Sequence, residues 1–442
     1  MITSVVGVNW GDEGKGRTVD LLSGGADIVS RYQGGNNAGH TIVNDLGKFV
    51  LNLVPSGVFH PNVVNVLGGG MVIDIEHLYN EINHLRERGV AISPNNLRIS
   101  RRATICMPWH RHADGAEEDR LGSAKQGSTR RGIAPAYSDK ALRKALRMED
   151  LLDAAYLETL VARLVDWKNI TLAIPYGLPL YTLADTLNWL HTYGDPLIDH
   201  IIDADEYIDE AAGAGKNILL EAQLGTLRDL DYGIYPYTTS SSALAANAPI
   251  GAGIPARRID KIIGVIKAFS SSVGGGPFVA KIEGKLGDKL REVGEEFGAA
   301  TGRPRMVGAF DLVATKYGVR MQGVDEIVLT KLDTLDFMDE IPVCVAYEID
   351  GERTDRFPTG ARLERAKPVF ETLPGWRAPT TECRTESDLP ENARHYIDWI
   401  ESRIQRPITT VSVGPSREAY LLRSGRTSAV SPQGGANKGA QV

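Results

Sequence analysis

Val5-Val6-Gly7-Val8-Asn9-Trp10-Gly11-Asp12-Glu13-Gly14-Lys15-Gly16-Arg17-Thr18-Val19-Asp20-Leu21-Leu22 stands near the start of the chain, and its reading decides the fold. The short apolar run with β-branched residues predicts a buried strand. Gly11, Gly14 and Gly16 then break the run, and Val19, Leu21 and Leu22 resume an apolar pattern that fits a helix. Strand, glycine-rich turn and helix is the layout that aims backbone N–H groups and a helix N-terminus at phosphate. Lys15 adds a cation inside the turn. The common phosphate-loop pattern would want glycine where Asn9 stands and a hydroxyl residue where Gly16 stands. Asp12 places a carboxylate where the loop meets phosphate, a costly arrangement unless it serves a metal or accepts a proton. The competing reading is a strand-to-helix turn whose glycines relieve sterics, with Asp12 as a helix cap.

Further along, the same alternation repeats. Asp27 to Tyr32 predicts a strand that runs into the loop Gln33 to Thr41, rich in Gly and Asn and carrying His40, a group able to donate a proton or hydrogen bond to developing charge. A loop histidine satisfied by nearby carbonyls is the plainer alternative. Val63 to Leu67 predicts another strand, and Ile75, Leu78, Ile82 and Leu85 follow at helical spacing. Strands at Ile218–Leu220, Ile262–Ile266, Ile327–Thr330 and Thr409–Val413 continue the pattern, with helical stretches between. Such alternation predicts an α/β fold with a large, mainly parallel central sheet and flanking helices. No internal repeat is visible.

Several polar stretches remain as ligand candidates. The basic segment Leu121 to Lys144 holds Ser128, Thr129, Arg130, Arg131 and Arg143, which suits phosphate but equally a solvated loop. Thr238 to Ser242 form a hydroxyl cluster able to bind phosphate or cap the alanine-rich segment that follows. Ser270 to Gly276 reads as a flexible loop. Arg303 and Arg305 form a candidate anion clamp. Lys331 and Asp333, at a strand's C-terminal end, suit guanine, with the carboxylate accepting from N1–H and the 2-amino group; a surface charge pair is the plainer alternative.

The 442 residues carry 42% hydrophobic and 24% charged residues, as expected of a globular protein with a large core. Length alone suggests about three domains. The formal charge of −7, from 49 basic and 56 acidic residues, argues against general binding to nucleic acid or anionic membrane. Cys106, Cys344 and Cys383 have neither zinc nor disulfide spacing. No secretory leader opens the chain and no run approaches a membrane span, so a cytoplasmic protein is expected.

Taken in order, Trp10-Gly11-Asp12-Glu13-Gly14-Lys15-Gly16, Gly34-Gly35-Asn36-Asn37-Ala38-Gly39-His40-Thr41, Thr301-Gly302-Arg303, Lys331-Leu332-Asp333 and Ser412-Val413-Gly414-Pro415 resemble the adenylosuccinate synthetase family. The resemblance runs from Val5 to about Arg423. It implies a GTP-dependent ligase that joins L-aspartate to IMP through 6-phosphoryl-IMP. By that resemblance Asp12 is the base and His40 the acid. Gly14, Lys15, Gly16, Thr41, Arg305, Lys331, Asp333, Ser412 and Gly414 would bind GTP. Asp12, Lys15, Asn37, Thr129, Arg143, Thr239 and Arg303 would bind IMP. Ala299, Ala300, Thr301, Gly302, Arg303 and Arg305 would bind aspartate, and Asp12 with the Gly39 carbonyl would hold Mg²⁺. Arg143 matches a residue that the family donates across a twofold homodimer. Residues 1–424 are expected to form one large domain, with a disordered tail over 425–442.

Two motifs depart from the family pattern. Arg130 stands where glycine is usual, and Glu221-Ala222-Gln223-Leu224-Gly225 places Leu224 where a nucleotide-contacting glutamine is usual. Both lie in the nucleotide half of the site. They keep open a ligase of the same mechanism with another purine nucleotide or amine donor, beside a GTP-binding protein without catalysis.

Overall fold

In a computed structural model, which describes residues 1–298, 302–423 and 425, the central sheet has ten strands. They are β1 (Ile2–Gly7), β2 (Ile28–Arg31), β3 (Val64–Leu67), β4 (Leu97–Ser100), β5 (Ile201–Ile202), β6 (Ile218–Gly225), β7 (Lys261–Lys267), β8 (Glu326–Thr330), β9 (Ile408–Ser412) and β10 (Tyr420–Leu422). Their spatial order is β10-β9-β8-β7-β1-β6-β2-β3-β4-β5. Every neighbouring pair is parallel except β9 with β10. Each residue of β1, β2, β8 and β9 is buried. Helices cover both faces of such strands, which is why they read as continuous rather than alternating apolar runs.

Five helices matter for the site: α1 (Lys15–Ser23), α2 (Ile75–Glu87), α3 (Ile133–Leu142), α4 (Leu312–Gln322) and α5 (Glu391–Ile404). The main core gathers Val6, Leu220, Ile266 and Leu329 from the sheet and Val8 just beyond β1 with Ile397 and Ile400 of α5. A second core joins Leu67, Ile73, Leu78, Trp109 and Leu157.

The strand expectations all fall on the sheet, with β6 longer than its apolar run because Glu221 to Gly225 continue the pairing to β1. Three loop expectations change. Half of the basic stretch is helical, because α3 begins at Ile133 and its side chains Ile133 and Ala136 are buried. Ser270–Ser272 is a strand paired antiparallel with Met306–Gly308. The hydroxyl cluster caps no helix: the short helix Ala248–Ala252 starts after Asn247 without a side-chain cap, and Ser242 Oγ donates instead to Asp229 Oδ2 at 2.9 Å. The expected tail lies outside the described residues, apart from Gly425. Among the described residues no helix is long and apolar enough to cross a membrane.

α4 braces the turn after β1. A Cβ on Gly318 would lie 2.0 Å from the Val8 carbonyl oxygen, so glycine is what lets the helix approach the backbone. Thr315 Oγ1 accepts from Asn9 Nδ2 at 3.1 Å, and Gln322 Nε2 donates to the Gly7 carbonyl at 3.1 Å. Asp311 caps this helix, accepting from Ala314 N–H at 3.0 Å and from the Tyr347 hydroxyl at 2.7 Å. Burial pushes its carboxyl up to about 6, against the opposing hydrogen bonds from Ala314 and Tyr347. A raised carboxyl favours the fold while protonated, so its stabilisation is full below about pH 4 and is lost as pH rises through about 6. A shift of about two units corresponds to about 3 kcal/mol. Urea titrations at pH 4 and 7 are therefore expected to show the wild-type chain losing about 2–3 kcal/mol more than Asp311→Asn. Equal pH dependence of the two chains would remove this assignment.

Candidate active site

The C-terminal ends of β1, β6 and β8 open onto a cavity of about 1070 Å³. Ligand sites of parallel α/β sheets form at this edge. Its lining includes Asp12, Gly14, Lys15, Gly16, Asn37, Gly39, His40 and Thr41 from the first half of the chain. Thr129, Thr239, Arg305, Lys331, Asp333, Ser412 and Gly414 complete the set from the remainder. Fifteen of the expected residues thus share one enclosure.

The turn is held by a carboxylate that the motif reading left without a role. Glu13 Oε1 accepts from the N–H groups of Asn9 at 3.1 Å and Gly11 at 2.8 Å, while Oε2 pairs with Lys15 Nζ at 2.6 Å. Thr330 at the end of β8 donates to the Glu13 carbonyl at 2.6 Å, tying the turn to the neighbouring strand. Asp12 sits beside it at φ 57 and is not a helix cap. Leu224 and Lys331, at φ 62 and 63, are also left-handed. Strained backbone of this kind gathers where a site over-determines geometry.

Asp12 Oδ2 pairs with Arg305 at 2.8 Å, and Arg305 pairs in turn with Glu296 at 2.8 Å. Glu296 also binds Lys267 Nζ at 2.7 Å. Burial alone would raise the Glu296 carboxyl, but Lys267, Arg305 and Lys331 outweigh it and hold it at about 2. Fixed charge below Arg305 thus aims its guanidinium at the Asp12 side of the cavity.

His40 begins the hairpin strand His40–Asn44. Its Nδ1 lies 2.5 Å from Glu221 Oε1, on β6. Glu221 is fully buried and also accepts from Ser56 N–H at 2.9 Å and Ser56 Oγ at 2.6 Å. Burial works against the Glu221 carboxylate, yet His40, Arg31 and Ser56 together keep it ionised. Burial lowers the His40 imidazole, with Glu221 opposing. An ionised Glu221 assigns the proton to Nδ1 and leaves Nε2 for the cavity. Position 16 explains itself here: a Cβ on Gly16 would come within 2.5 Å of His40 Cβ and 2.9 Å of its Cγ. The hydroxyl residue of the common phosphate loop cannot coexist with this histidine. Gly16→Ser is expected to cost about 1–3 kcal/mol through overpacking and to lower turnover at least about tenfold as His40 moves. Unchanged stability and kcat would show that the contact is easily relieved.

At the far wall, Arg17 of α1 donates to Ser412 Oγ at 2.7 Å and to the Ser416 carbonyl at 2.6 Å, fixing the loop that carries Gly414. Lys331 Nζ donates to the Gly294 carbonyl at 2.7 Å. Burial raises the Asp333 carboxyl, opposed by Lys331. Arg228 is another lining residue absent from the motif reading. It binds Ser272 Oγ and the Val273 carbonyl, both at 2.7 Å, together with the Tyr237 carbonyl. The signal for Glu13 and Arg228 was a charged residue in the turn after a buried strand, and for Glu221 a carboxylate inside a buried strand.

The two departures differ in where they lie. Arg130 is outside the cavity lining, exposed, and paired with Asp119. Its backbone is left-handed at φ 56, which accounts for glycine being usual there. Leu224 does line the cavity. The amide lies one residue earlier: buried Gln223 binds Arg31 Nη2 at 2.8 Å through Oε1 and donates to Asn37 Oδ1 through Nε2. Gly302 and Arg303 are not among the lining residues, although Arg303 donates to the Ser128 carbonyl at 3.2 Å. Arg143 is exposed in a left-handed C-cap of α3, also away from the lining. Ala299, Ala300 and Thr301 lie outside the described residues.

Comparison with known proteins shows the family and the fold. The family model "Adenylosuccinate synthetase" matches residues 4–421. The adenylosuccinate synthetase of Cyanothece sp. is 46% identical over 418 residues, 95% of this chain and 94% of its own. That of Nostoc punctiforme is 46% identical over 419 residues, covering 95% and 93%. Among solved structures, the fully ligated adenylosuccinate synthetase from Plasmodium falciparum superposes with a TM-score of 0.89 at 34% identity, covering 95% of this chain and 99% of that one. The cyanophage S-2L succinoaminodeoxyadenylate synthetase bound to dGMP and dATP superposes at 0.60 with 18% identity, a likeness of fold alone.

Proposed function

The chain belongs to the adenylosuccinate synthetase family, and we propose from that premise which of its residues carry the reaction. It is a ligase of purine and AMP biosynthesis: GTP drives the joining of L-aspartate to IMP, giving adenylosuccinate, GDP and phosphate. The observation that carries the assignment of roles is the convergence of Asp12 and the His40–Glu221 pair on the cavity that Lys15 and the turn amides line.

Asp12 takes the N1 proton of IMP. The purine O6 then attacks the γ-phosphorus of GTP; the O6–P bond forms as the bond from phosphorus to the β,γ-bridging oxygen breaks, and GDP leaves. With the phosphates bound, His40 acts as the imidazolium: Glu221 accepts from Nδ1–H, and Nε2–H donates to the charge that develops on the transferring phosphoryl group and the leaving oxygen. The amino nitrogen of aspartate then bonds to C6, phosphate departs with O6, and the nitrogen sheds a proton. Most of the acceleration in such a transfer comes from positioning and charge neutralisation.

Gly14, Lys15, Gly16 and Thr41 hold the phosphates of GTP, Arg305 reaches them from the opposite side, and Lys331, Asp333, Ser412 and Gly414 hold guanine. Asn37, Thr129, Thr239 and Arg303 hold IMP, and the segment 299–305 clamps aspartate. Mg²⁺ suits the donors present: the Asp12 carboxylate is about one-third exposed, and Gly39 lines the cavity beside it. One carboxylate and one carbonyl, completed by substrate phosphates and water, is the usual protein share for this ion. It would neutralise charge on the transferring phosphates. Arg143 serves the IMP site of a second copy in a homodimer, a reading supported by its exposure beside Leu142, which is 54% exposed. Residues 1–424 act as one domain, in the cytoplasm.

The test is adenylosuccinate formation by the purified chain with GTP, L-aspartate and Mg²⁺, offering IMP, GMP, dGMP and XMP in parallel. Turnover with IMP as the best acceptor is expected. Turnover confined to another nucleotide would make Leu224 a specificity determinant, and silence with all four would leave a binding protein.

A further inference from the structure

A second recess, of about 340 Å³, lies where the C-terminal ends of α4 and α5 meet, far along the chain from the phosphate turn. Four of its eight lining residues are cationic: Lys316 and Arg320 from α4, Arg403 from α5 and Arg406 just beyond it. None is acidic. Among the described residues none of the four has a carboxylate partner within 4.0 Å. Other exposed arginines are paired, Arg257 with Asp209 and Arg365 with Asp350. The cationic lining also runs against the balance of a chain with 56 acidic and 49 basic residues.

Helix ends account for part of this charge only. Arg320 and Arg403 stand in the last turns of α4 and α5, where each helix presents about half a negative charge. Arg406 donates to the backbone carbonyls of Val324 at 2.6 Å and Gln405 at 2.7 Å. Together the two helix ends offset about one of the four positive charges. Val319 and Ile404, each 5% exposed, give the recess an apolar floor that keeps water from screening the remainder.

We propose that this recess binds a small polyphosphate anion, at a site distinct from the main cavity. Arg320 and Arg403 offer the planar forks that match phosphate oxygens, while Lys316 and Arg406, the latter held by two backbone carbonyls, add charge. The volume falls at the lower end for small-molecule sites and suits a chain of two or three phosphates better than a large organic ligand. The ligand would bridge α4 to α5, since each helix supplies part of the charge.

Isothermal titration with tripolyphosphate tests the site, using full-length chain whose main cavity is saturated with GDP and IMP. One further equivalent is expected to bind the wild type, and to bind at least about tenfold more weakly to Arg320→Gln/Arg403→Gln. Lys316→Gln is expected to weaken it less. Binding should also weaken as salt is raised. The double variant should melt as the wild type does and turn over its substrates normally, because neither arginine touches the main cavity. Comparing ATP with tripolyphosphate separates the sources: equal affinity identifies the phosphate chain as the ligand, and tighter ATP binding a nucleotide. Absence of the further equivalent in the wild type, or equal binding by the double variant, would overturn the proposal.

Discussion

Asp12→Asn is expected to lower kcat at least about 1000-fold while the chain stays folded. General acid–base catalysis contributes about 10²- to 10⁴-fold, and this substitution removes the proton acceptor together with one proposed Mg²⁺ ligand. Folding should survive for a local reason. Asparagine has the same shape as aspartate and tolerates the left-handed backbone that Asp12 adopts at φ 57. Arg305 keeps its second carboxylate partner, Glu296, at 2.8 Å, so no buried charge is orphaned. Single-turnover measurements with GTP, IMP and aspartate, alongside GDP binding, separate chemistry from affinity. A variant retaining more than a tenth of the wild-type kcat would move the base elsewhere.

Glu221→Gln should be the second severe change, and it acts through a neighbour. The carboxylate does not itself line the cavity and is fully buried. It accepts from His40 Nδ1, which turns Nε2 to the cavity and favours the imidazolium, and it anchors Ser56. In serine proteases, turning the carboxylate that orients the catalytic histidine into an amide costs about 10⁴-fold in kcat. A fall of about 10²- to 10⁴-fold is expected here, with KM for GTP and IMP changed only a few-fold. Stability should drop by about 3 kcal/mol, because Arg31 loses the largest of its buried counter-charges. The discriminating readout is the pH profile of kcat. A merely structural role would leave its shape unchanged, whereas a positioning role shifts the limb that reports His40.

Taken alone, the sequence determined the α/β fold and fifteen residues of the cavity wall. Parallel strands buried on both faces must be written as short apolar runs, and the glycine-rich turns at their ends are local in the chain, so β1, β3, β8 and β9 with Lys15, His40, Lys331 and Ser412 could be read in place. Local pattern misses what depends on register between distant strands. His40 and Glu221 are separated by 181 residues and meet only because β6 lies between β1 and β2. The same holds for Asp12 with Arg305, and for the amide of Gln223 reaching Asn37. Tertiary structure also decided direction: Arg130, ambiguous as a letter, turns outward to Asp119. Apolar periodicity is imposed by burial within one element, whereas a pairing of charges is imposed by the packing of several, and only the folded chain brings those together.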